Sequence, residues 1–519
     1  MDKVCIIDMG SQYTHLIARR IRELGVYSEI LPSDVNIEHL KASGYKAIIL
    51  SGGPSSVYEP GSPQLPKEFF KFTSKQNVPV LGICYGLHLI VHQLGGIIEA
   101  HENKEYGKTE LEMVKSSLLF DGLEDKEIVW MSHGDQIKKL PPDFESIAST
   151  KTCPVAAFEN KKHNIYGVQF HPEVNHTIKG NQILENFLSK IAHAEKQWKL
   201  EDWIERKIKE INNILGGQDN VILGLSGGVD SSVAAVLLHE AIGNRLHCIF
   251  VNNGLLRKNE EFEVQKQFKE KLRFENFHYI DAQEIFLTRL HEVDDPEEKR
   301  RIIGHTFIEV FERKTIELEK EFPSITYLAQ GTIYPDRVET AATSHSASKI
   351  KSHHNLTLPE NMTLKIIEPL KDLYKDEVRK IGLKLGLDPE VIERHPFPGP
   401  GLAVRCLGPI DEKKLDLIRN ADSILLEEIM NAGIYNDLWQ AFCVLLPVKT
   451  VGVMGDFRTY EYVCSIRAVK SLDAMTANFA KLDWDLLEKV GTRIINEVEG
   501  INRVVYDISN KPPSTIEYE

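Results

Sequence analysis

Cys84 is the residue whose type and position most clearly suggest chemistry. It follows the apolar run VPVLGI (78–83) and precedes a helical pattern from Leu87, so a sharp strand-to-helix turn is expected there. Such a turn exposes the side chain at the top of a sheet, and the N–H groups of the helix stabilise a thiolate. The other cysteines lie in apolar runs or beside loop residues, where a thiol packs as a small hydrophobic group. We therefore expect Cys84 to be a nucleophile.

A thiolate nucleophile needs a base within reach, and the segment GVQFHPEV supplies His171 at the end of a strand-like run. Glu173 follows two residues later, and residues i and i+2 of an extended segment lie on the same side, so Glu173 can orient the imidazole. A lone histidine is more often structural. An elbow cysteine together with a strand-terminal His-x-Glu in one α/β region is a stronger signal.

A second motif, SGGVDSS (226–232), lies between the apolar run VILGL and the helical pattern VAAVLLHEA. Small residues at a helix N-terminus expose backbone N–H groups that bind phosphate. The motif is not a Walker A loop, because no lysine follows its second glycine. Asp230 and the hydroxyls of Ser231 and Ser232 favour a phosphate-binding loop over an ordinary turn.

Two blocks of alternating strand-like and helical patterns must position these residues. Such alternation predicts two open, mainly parallel α/β sheets, and the last part of the chain predicts a smaller α+β domain. We place one boundary near 195–200, within the charged helical stretch 190–212, and a second at HPFPGPG (395–401), which is rich in proline and glycine. The predicted fold class is thus α/β, with domains 1–197, 198–395 and 396–519. The predicted strands are 4–8, 47–53, 78–83 and 165–170 in the first block, and 221–226, 247–253, 278–282 and 325–331 in the second.

Composition excludes several classes of protein. The chain has 519 residues and a net charge of −14, which argues against a protein that mainly grips a nucleic-acid backbone. Its seven cysteines form no C-x-x-C pair, so neither a zinc-finger spacing nor a disulfide framework is expected. The N-terminal sequence does not read as a signal peptide, and no apolar stretch is long enough to span a membrane. We expect a cytoplasmic, multidomain protein without nucleic-acid or membrane partners.

Four motifs of the first block resemble the class I glutamine amidotransferases: GICYG (82–86), HPE (171–173), SGGPSS (51–56) and SHGD (132–135). The resemblance implies glutamine hydrolysis through a thioester, with Cys84 as nucleophile, His171 as general base and Glu173 as its orienter. It also implies a set of residues for the oxyanion and for glutamine: Gly53, Tyr85, His88, Ser132, His133 and Asp135. His88 departs from the glutamine that the family usually carries there.

The loop SGGVDSS is similar to the signature of the ATP pyrophosphatase (PP-loop) family. The resemblance implies that ATP is cleaved between its α- and β-phosphates to adenylate a carbonyl oxygen. Mg²⁺ bound to the phosphates is expected as the only cofactor, with Asp230 as a candidate ligand. The residues implied in ATP binding are Ser226, Gly227, Gly228, Val229, Asp230, Ser231, Ser232 and Gly331.

Further motifs, among them HPFPGPGLAVR (395–405) and KPPSTIEYE (511–519), resemble the glutamine-hydrolysing GMP synthase family over nearly the full length. The resemblance implies that XMP, ATP, glutamine and water give GMP, AMP, pyrophosphate and glutamate, in a homodimer formed through the C-terminal domain. The implied XMP contacts are Arg300, Gln440, Arg503, Lys511, Ile516 and Glu517. The implied lid residues are Asp336, Glu339, Lys351 and His353. Asn252 and Tyr518 depart from the family pattern.

Three alternative functions fit the sequence less well. Another glutamine-dependent PP-loop ligase is disfavoured by the KPPSTIEYE tail and the PFPGPG block. A tRNA-modifying factor would want a basic patch, aromatic stacking sites and often paired cysteines, which this acidic chain does not offer. A regulatory scaffold with an inactive glutaminase is disfavoured by the intact set of Cys84, His171 and Glu173.

Overall fold

The computed structural model describes residues 1–336, 364–471 and 476–519. These residues divide into two compact units, Met1–Trp203 and the described residues from Ile204 to Glu519. Among the described residues, no helix is both long and apolar enough to cross a membrane.

A nine-stranded sheet forms the centre of the first unit. Its strands are β1 (Lys3–Asp8), β2 (Tyr27–Pro32), β3 (Ala47–Leu50), β4 (Val80–Ile83), β5 (Ile97–Met113), β6 (Lys126–Lys139), β7 (Glu145–Ser149), β8 (Ala157–Asn160) and β9 (Ile165–Val168). Its α-helices are α1 (Thr14–Glu23), α2 (Ile37–Ser43), α3 (Phe69–Lys75), α4 (Tyr85–Gln93) and α5 (Gly180–Asn186). The strand order is β2-β1-β3-β4-β9-β8-β7-β5-β6. Pairing is parallel from β2 to β9 and antiparallel from β9 to β6.

The parallel half of this sheet explains where the chemistry lies. Every residue of β3 and β4 is buried, as expected of parallel strands covered on both faces. β4 and β9 are neighbours, with Ile83 opposite Val168. Their carboxyl ends therefore meet at one edge of the sheet. Cys84 directly follows β4, and His171 lies three residues after the end of β9.

The second unit begins within helix α6 (Leu200–Leu215) and holds a five-stranded, wholly parallel sheet. Its strands are β10 (Asn220–Leu225), β11 (Leu246–Asn252), β12 (Phe277–Asp281), β13 (Ile325–Ala329) and β14 (Lys365–Ile367), in the order β12-β11-β10-β13-β14. Its helices are α7 (Val229–Ile242), α8 (Glu260–Gln265), α9 (Gln283–Leu290), α10 (Pro296–Glu321), α11 (Lys375–Lys384) and α12 (Pro389–Ile392).

A third sheet in the same unit is mainly antiparallel. It consists of β15 (Gln440–Met454), β16 (Phe457–Lys470), β17 (Asn478–Phe479) and β18 (Ile501–Tyr506), with β18 parallel to β16. Helices α13 (Glu412–Asn431) and α14 (Trp484–Glu497) complete it. One apolar core runs from Ile222 of the parallel sheet through Leu402 to Cys443 and Ile466 of the third sheet. This shared core explains why the residues from Ile204 onward form one compact unit.

The predicted α/β fold class is confirmed, and each predicted strand overlaps an observed one. The long ribbon of β5 and β6 was not predicted, nor were β7, β8 and α14. The sequence of β5, IIEAHENKEYGKTELEM, is too rich in charged residues to resemble a buried strand. It pairs with β6 as an antiparallel ribbon, in which one face can stay in water.

Candidate active sites

Cys84 occupies the turn between β4 and α4 in a strained conformation. It is the N-cap of α4, and its φ of 51° lies in the left-handed region. The flanking glycines make the turn feasible, because a Cβ on Gly82 would lie 2.6 Å from the carbonyl carbon of Gly86, and one on Gly86 would lie 2.4 Å from Leu50 O. The nucleophile elbow expected from the sequence is therefore present in the structure.

His171 and Glu173 form a buried pair in the same unit. His171 Nδ1 lies 2.7 Å from Glu173 Oε1, and the two side chains are 5% and 0% exposed. Since the carboxylate accepts from Nδ1–H, Nε2 is left to exchange a proton with another group. Burial disfavours the imidazolium, but the charge of Glu173 and hydrogen bonds to Cys84 and Glu173 outweigh it and hold the pKa of His171 well above its ordinary value.

Gln169 is a neighbour of Cys84 that the sequence reasoning missed. Its Nε2 lies 3.7 Å from Cys84 Sγ, as does the main-chain oxygen of Ser132. Gln169 is 0% exposed, and its Oε1 has no hydrogen-bond partner. The signal available in the sequence was its place two residues before His171, on the same side of an extended segment.

The two residues expected to form an oxyanion hole are adjacent. A Cβ on Gly53 would lie 3.0 Å from the Tyr85 ring and 2.6 Å from Met9 O, so only glycine fits against the first turn of α4. The Tyr85 hydroxyl donates to Pro63 O across 2.7 Å and fixes the ring.

His88 is buried beside the same site. Its Nε2 has no hydrogen-bond partner. Burial and the charge of His133 lower the pKa of His88 to about 4, against the opposing effects of Asp135 and Gln169. His88 therefore carries a neutral imidazole at physiological pH.

The strand β6 carries the other residues expected to bind glutamine. Ser132 turns its carbonyl towards Cys84, whereas Asp135 accepts a hydrogen bond of 2.9 Å from the Tyr58 hydroxyl. The His133 ring contacts other groups, with Nδ1 2.9 Å from Asp135 O and Nε2 3.3 Å from Glu105.

In the second unit, the loop between β10 and α7 is held by its own hydroxyl groups. Ser226 Oγ and Ser231 Oγ lie 2.9 Å apart, and Ser231 Oγ donates to Gly228 O across 3.1 Å. Gly227 has a φ of 76°, which glycine adopts without strain. Val229 packs in the interior. A Cβ on Gly331 would lie 3.2 Å from Ser231 N, so Gly331 borders the loop.

Lys375, which the sequence reasoning missed, reaches this loop. Its Nζ lies 2.6 Å from Asp230 Oδ2. Lys375 is the first residue of α11, where the helix dipole disfavours a cation, and that unfavourable position was the only signal in the sequence. Asp230 Oδ1 and Ser232 Oγ are buried without hydrogen-bond partners.

Asn252 ends β11 near the carboxyl edge of the same sheet. Its Nδ2 donates to Glu261 and, across 3.1 Å, to the Tyr279 hydroxyl, while its Oδ1 accepts from Gly254 N across 3.0 Å. An aspartate at this position would repel the Glu261 carboxylate, whereas the asparagine amide donates a hydrogen bond to it. The departure from the family pattern at Asn252 is therefore compatible with Glu261.

Gln440 and Glu517 are brought together near the C-terminus. Gln440 Nε2 lies 2.7 Å from Glu517 Oε1. Arg405, 1% exposed, donates to both oxygens of Glu517 across 3.1 and 2.9 Å. Its guanidinium lies 4.1 Å from the centre of the Phe442 ring, and Ile516 packs in the same apolar cluster. Arg405 ends the motif HPFPGPGLAVR, but the sequence predicted no role for it.

The other residues expected to contact XMP have their contacts elsewhere. Arg300 lies 3.6 Å from Glu297, and Arg503 Nε donates to Thr450 Oγ1 across 3.3 Å. The main chain of Lys511 pairs with Ala477. Of the expected lid residues, Asp336 accepts from Ile333 N across 3.1 Å. Glu339, Lys351 and His353 lie outside the described residues.

Three family models match the chain. They are glutamine amidotransferase class-I over residues 5–191, NAD synthase over residues 197–302, and the GMP synthase C terminal domain over residues 427–518. The first two ranges contain the cysteine elbow and the glycine-rich loop, respectively.

Curated relatives match along the whole chain. GMP synthases [glutamine-hydrolyzing] of Brachyspira hyodysenteriae and Thermosipho melanesiensis are 53% and 54% identical over 520 and 521 residues, covering 100% of this chain and 99% and 100% of theirs. The protein of that name from Aquifex aeolicus is 52% identical over 517 residues and 99% of each chain.

Proposed function

Because the chain belongs to the glutamine-hydrolysing GMP synthase family, we propose that its two sites divide one reaction, the amination of XMP to GMP. The chain is a carbon–nitrogen ligase that takes nitrogen from glutamine and uses ATP. The observation that carries the proposal is the geometry at Cys84: a thiol on a strained elbow, with a buried His171–Glu173 pair in the same unit.

Cys84 is the nucleophile of the glutaminase step. The thiolate adds to the carboxamide carbon of glutamine, and ammonia leaves with a proton from His171. Water then hydrolyses the γ-glutamyl thioester to glutamate. The raised pKa of His171 keeps the ring protonated beside the thiolate, ready to protonate the leaving nitrogen.

The backbone N–H groups of Gly53 and Tyr85 stabilise the tetrahedral intermediate. Their adjacency at the first turn of α4 supports this role, because the N-terminus of a helix favours negative charge. We propose that His88, Ser132, His133 and Asp135 border the glutamine. His88 contributes a neutral ring rather than a cation.

The loop 226–232 binds ATP. The backbone N–H groups at the start of α7 face the phosphates, and Gly331 keeps that approach open. The C2 oxygen of XMP attacks the α-phosphate and pyrophosphate leaves. Ammonia then displaces AMP from the adenylated purine to give GMP. Lys375 neutralises negative charge beside the loop through its pair with Asp230.

We propose Mg²⁺ as the metal that accompanies ATP. Oxygen ligands suit this ion, and the buried oxygens Asp230 Oδ1 and Ser232 Oγ, both without partners, fit such a group. When bound, it would neutralise charge on the pyrophosphate leaving group.

XMP binds beside the C-terminal segment. Glu517, fixed by Arg405, and Gln440 offer an acceptor and an amide that suit a purine edge. Positive charge for the 5′-phosphate would come from Arg300, Arg503 and Lys511, and an apolar contact from Ile516.

We propose a lid over the nucleotides that includes Asp336, Glu339, Lys351 and His353. We assign the glutaminase step, ATP binding and XMP binding to three proposed domains, 1–197, 198–395 and 396–519. The three separate family matches support this division of the chain.

We also propose a homodimer formed through the third sheet. The outer halves of β15 and β16 expose Val451, Val453, Phe457 and Tyr460, which are 59%, 73%, 78% and 65% accessible. Val451 pairs with Tyr460, so their side chains share one face. An apolar strand surface of this kind favours association with a second copy.

The proposed setting is the cytoplasm, without nucleic-acid or membrane partners. All seven cysteines lie within the described ranges and are free thiols, which fits a reducing compartment. The net charge of −14 fits small-molecule substrates better than a nucleic-acid backbone.

Replacement of Cys84 by alanine tests the proposal. GMP formation from XMP and MgATP should be lost with glutamine as donor and retained with ammonium chloride. A Cys248→Ala variant, which removes a buried thiol of the second unit, should retain both activities. Loss of the ammonia-driven activity in the folded Cys84→Ala variant would contradict the division into two sites. Formation of ADP and phosphate in place of AMP and pyrophosphate would contradict the proposed adenylation of XMP.

A further inference from the structure

Glu105, His133 and Cys153 bring three metal-binding side chains together in the first unit. One ligand atom from each lies within 4.8 Å of the other two. Glu105 on β5 is paired with His133 on β6, and Cys153 lies in the turn after β7. The side chains of His133 and Glu105 are 3% and 10% exposed, and Cys153 is 1% exposed. The proposed reaction uses neither Glu105 nor Cys153.

The hydrogen bonds of His133 determine which ring nitrogen faces the cluster. Nδ1 lies 2.9 Å from the main-chain oxygen of Asp135. A carbonyl oxygen only accepts, so Nδ1 donates to it and Nε2 is the nitrogen directed towards Glu105. The same arrangement is typical of metal-binding histidines, whose second nitrogen donates to a carbonyl or carboxylate.

His133 Nε2 faces a carboxylate. It lies 3.3 Å from Glu105 Oε2 and makes no hydrogen bond. The two atoms are therefore placed to act as ligands of one shared cation.

We propose that Glu105, His133 and Cys153 bind a transition-metal ion, for which Zn²⁺ is the best match. Thiolate, imidazole and carboxylate are the ligands that zinc prefers. With bonds of about 2.0 Å, a tetrahedral zinc separates its nitrogen and oxygen ligands by about 3.3 Å. That is the separation of His133 Nε2 and Glu105 Oε2. Three protein ligands leave the fourth position to water.

Charge balance supports a divalent ion in this buried place. On binding, the Cys153 thiol releases its proton to solvent, so one thiolate and one carboxylate neutralise the two charges of the metal. A neutral complex avoids the large cost of burying unpaired charge. Thr150 Oγ1 donates to Glu105 across 3.0 Å and accepts from Cys153 N across 3.0 Å, which holds two of the ligands in place.

An occupied site would hold the β5–β6 ribbon to the turn after β7. Ser132, which precedes His133, turns its carbonyl towards Cys84. The metal would therefore act on the shape of the cysteine site, without touching the reacting atoms. Its presence should raise the thermal stability of the first unit.

The test uses full-length chain stripped of metal, in a Cys84→Ala background. This background removes the other thiol that lies beside an imidazole and a carboxylate. Equilibrium dialysis against ZnCl₂ should give one Zn²⁺ per chain. CoCl₂ should produce the thiolate-to-cobalt charge-transfer absorption of a cysteine ligand. Adding Cys153→Ser should abolish that absorption and weaken Zn²⁺ binding at least about 10-fold. Adding Cys248→Ser, a matched change at another buried thiol, should alter neither.

Two results would overturn the site: no Zn²⁺ bound in the Cys84→Ala chain, or a cobalt absorption that survives Cys153→Ser. Equal loss in the Cys248→Ser control would also overturn it, because the metal would then be bound elsewhere. If circular dichroism shows that the Cys153→Ser chain is unfolded, Glu105→Gln decides, since it keeps the thiol and the side-chain size. Unchanged Zn²⁺ affinity in that variant contradicts the site. None of these measurements depends on GMP formation.

Discussion

Lys375 Nζ lies 2.6 Å from Asp230 Oδ2, although 145 residues separate them in the chain. The pair links the first residue of α11 to the first turn of α7, beside the proposed phosphate loop. One oxygen of Asp230 is thereby neutralised, and the other is left without a partner. This is the arrangement expected of a carboxylate that sits between a protein cation and a bound ion.

Lys375→Met should slow GMP formation with glutamine and with ammonia alike, by roughly 10²-fold or more. The reason is that a charge placed for the transition state is lost at the synthetase site. Lys380→Met, at an exposed position of the same helix, is the matched control and should be close to wild type. Steady-state rates with both nitrogen donors measure the effect. A rate that falls with glutamine only would remove Lys375 from the synthetase step.

Gln169→Leu should slow the glutamine-driven reaction and leave the ammonia-driven one unchanged. The Nε2 donor lies 3.7 Å from Cys84 Sγ, and a hydrogen bond to a charged group contributes about 1.5–3 kcal/mol. The expected loss in kcat/KM for glutamine is therefore roughly 10- to 100-fold. Gln169→Glu should not restore the rate, because it places a carboxylate beside the thiolate. Wild-type kinetics in Gln169→Leu would show that the amide only fills space.

Glu173→Gln should lower glutaminase activity and move its pH profile. The carboxylate helps to hold the pKa of His171 well above its ordinary value, against the effect of burial. Without that charge the pKa of His171 falls, so the protonated ring is lost at lower pH and the alkaline limb shifts downward. The pH dependence of kcat/KM for glutamine checks this. An unmoved alkaline limb would mean that another group titrates there.

The parts of the site that are local in sequence could be predicted, and the rest could not. Cys84 could be identified because the residues next to it determine its turn: only glycine fits at positions 82 and 86. His171 and Glu173 are likewise separated by one residue. By contrast, Arg405 and Glu517 are 112 residues apart, and no periodic pattern indicates which side chains the fold will bring together.

The β5–β6 ribbon was missed for a related reason. Parallel strands buried on both faces are continuous apolar runs, and β3 and β4 were therefore recognisable. A solvated antiparallel ribbon needs only alternate apolar residues, and charged residues interrupt the rest. Glu105 and His133 face each other on that ribbon, so the proposed metal site could not be predicted without knowing the strand register.

Val453→Lys on the outer part of β15 should shift the proposed dimer towards monomer. The side chain is 73% exposed in the single chain, beside other apolar residues of the same ribbon, and a buried ammonium there would be unpaired. Sedimentation velocity across a concentration series measures the change. Ile178→Lys, at a 69% exposed position of the first unit, is the control and should leave the association state unchanged. Equal sedimentation of all three proteins would contradict an interface at this ribbon.

Acid should destabilise the second unit through a pair of histidines, of which His247 is buried and His278 is half-buried. His247 Nδ1 lies 3.2 Å from His278 Nε2. Burial lowers the pKa of His247, and burial together with the charges of His247 and Lys314 lowers the pKa of His278 to about 4. The unfolded chain protonates His278 from pH about 6.5 downward, whereas the folded chain protonates it only near pH 4. The free energy of unfolding should therefore be retained above pH 6.5 and fall as the pH drops through this window.

His278→Gln should reduce this loss of stability on acidification. Urea midpoints of unfolding measured between pH 7 and pH 4 should therefore fall less steeply with decreasing pH than in wild type. His291→Gln, at an exposed position, should keep the wild-type slope. If wild type and His278→Gln lose stability equally on acidification, the pair does not carry the effect. The sensitivity of the second unit would then belong to His395, a buried histidine of that unit whose pKa is also lowered to about 4.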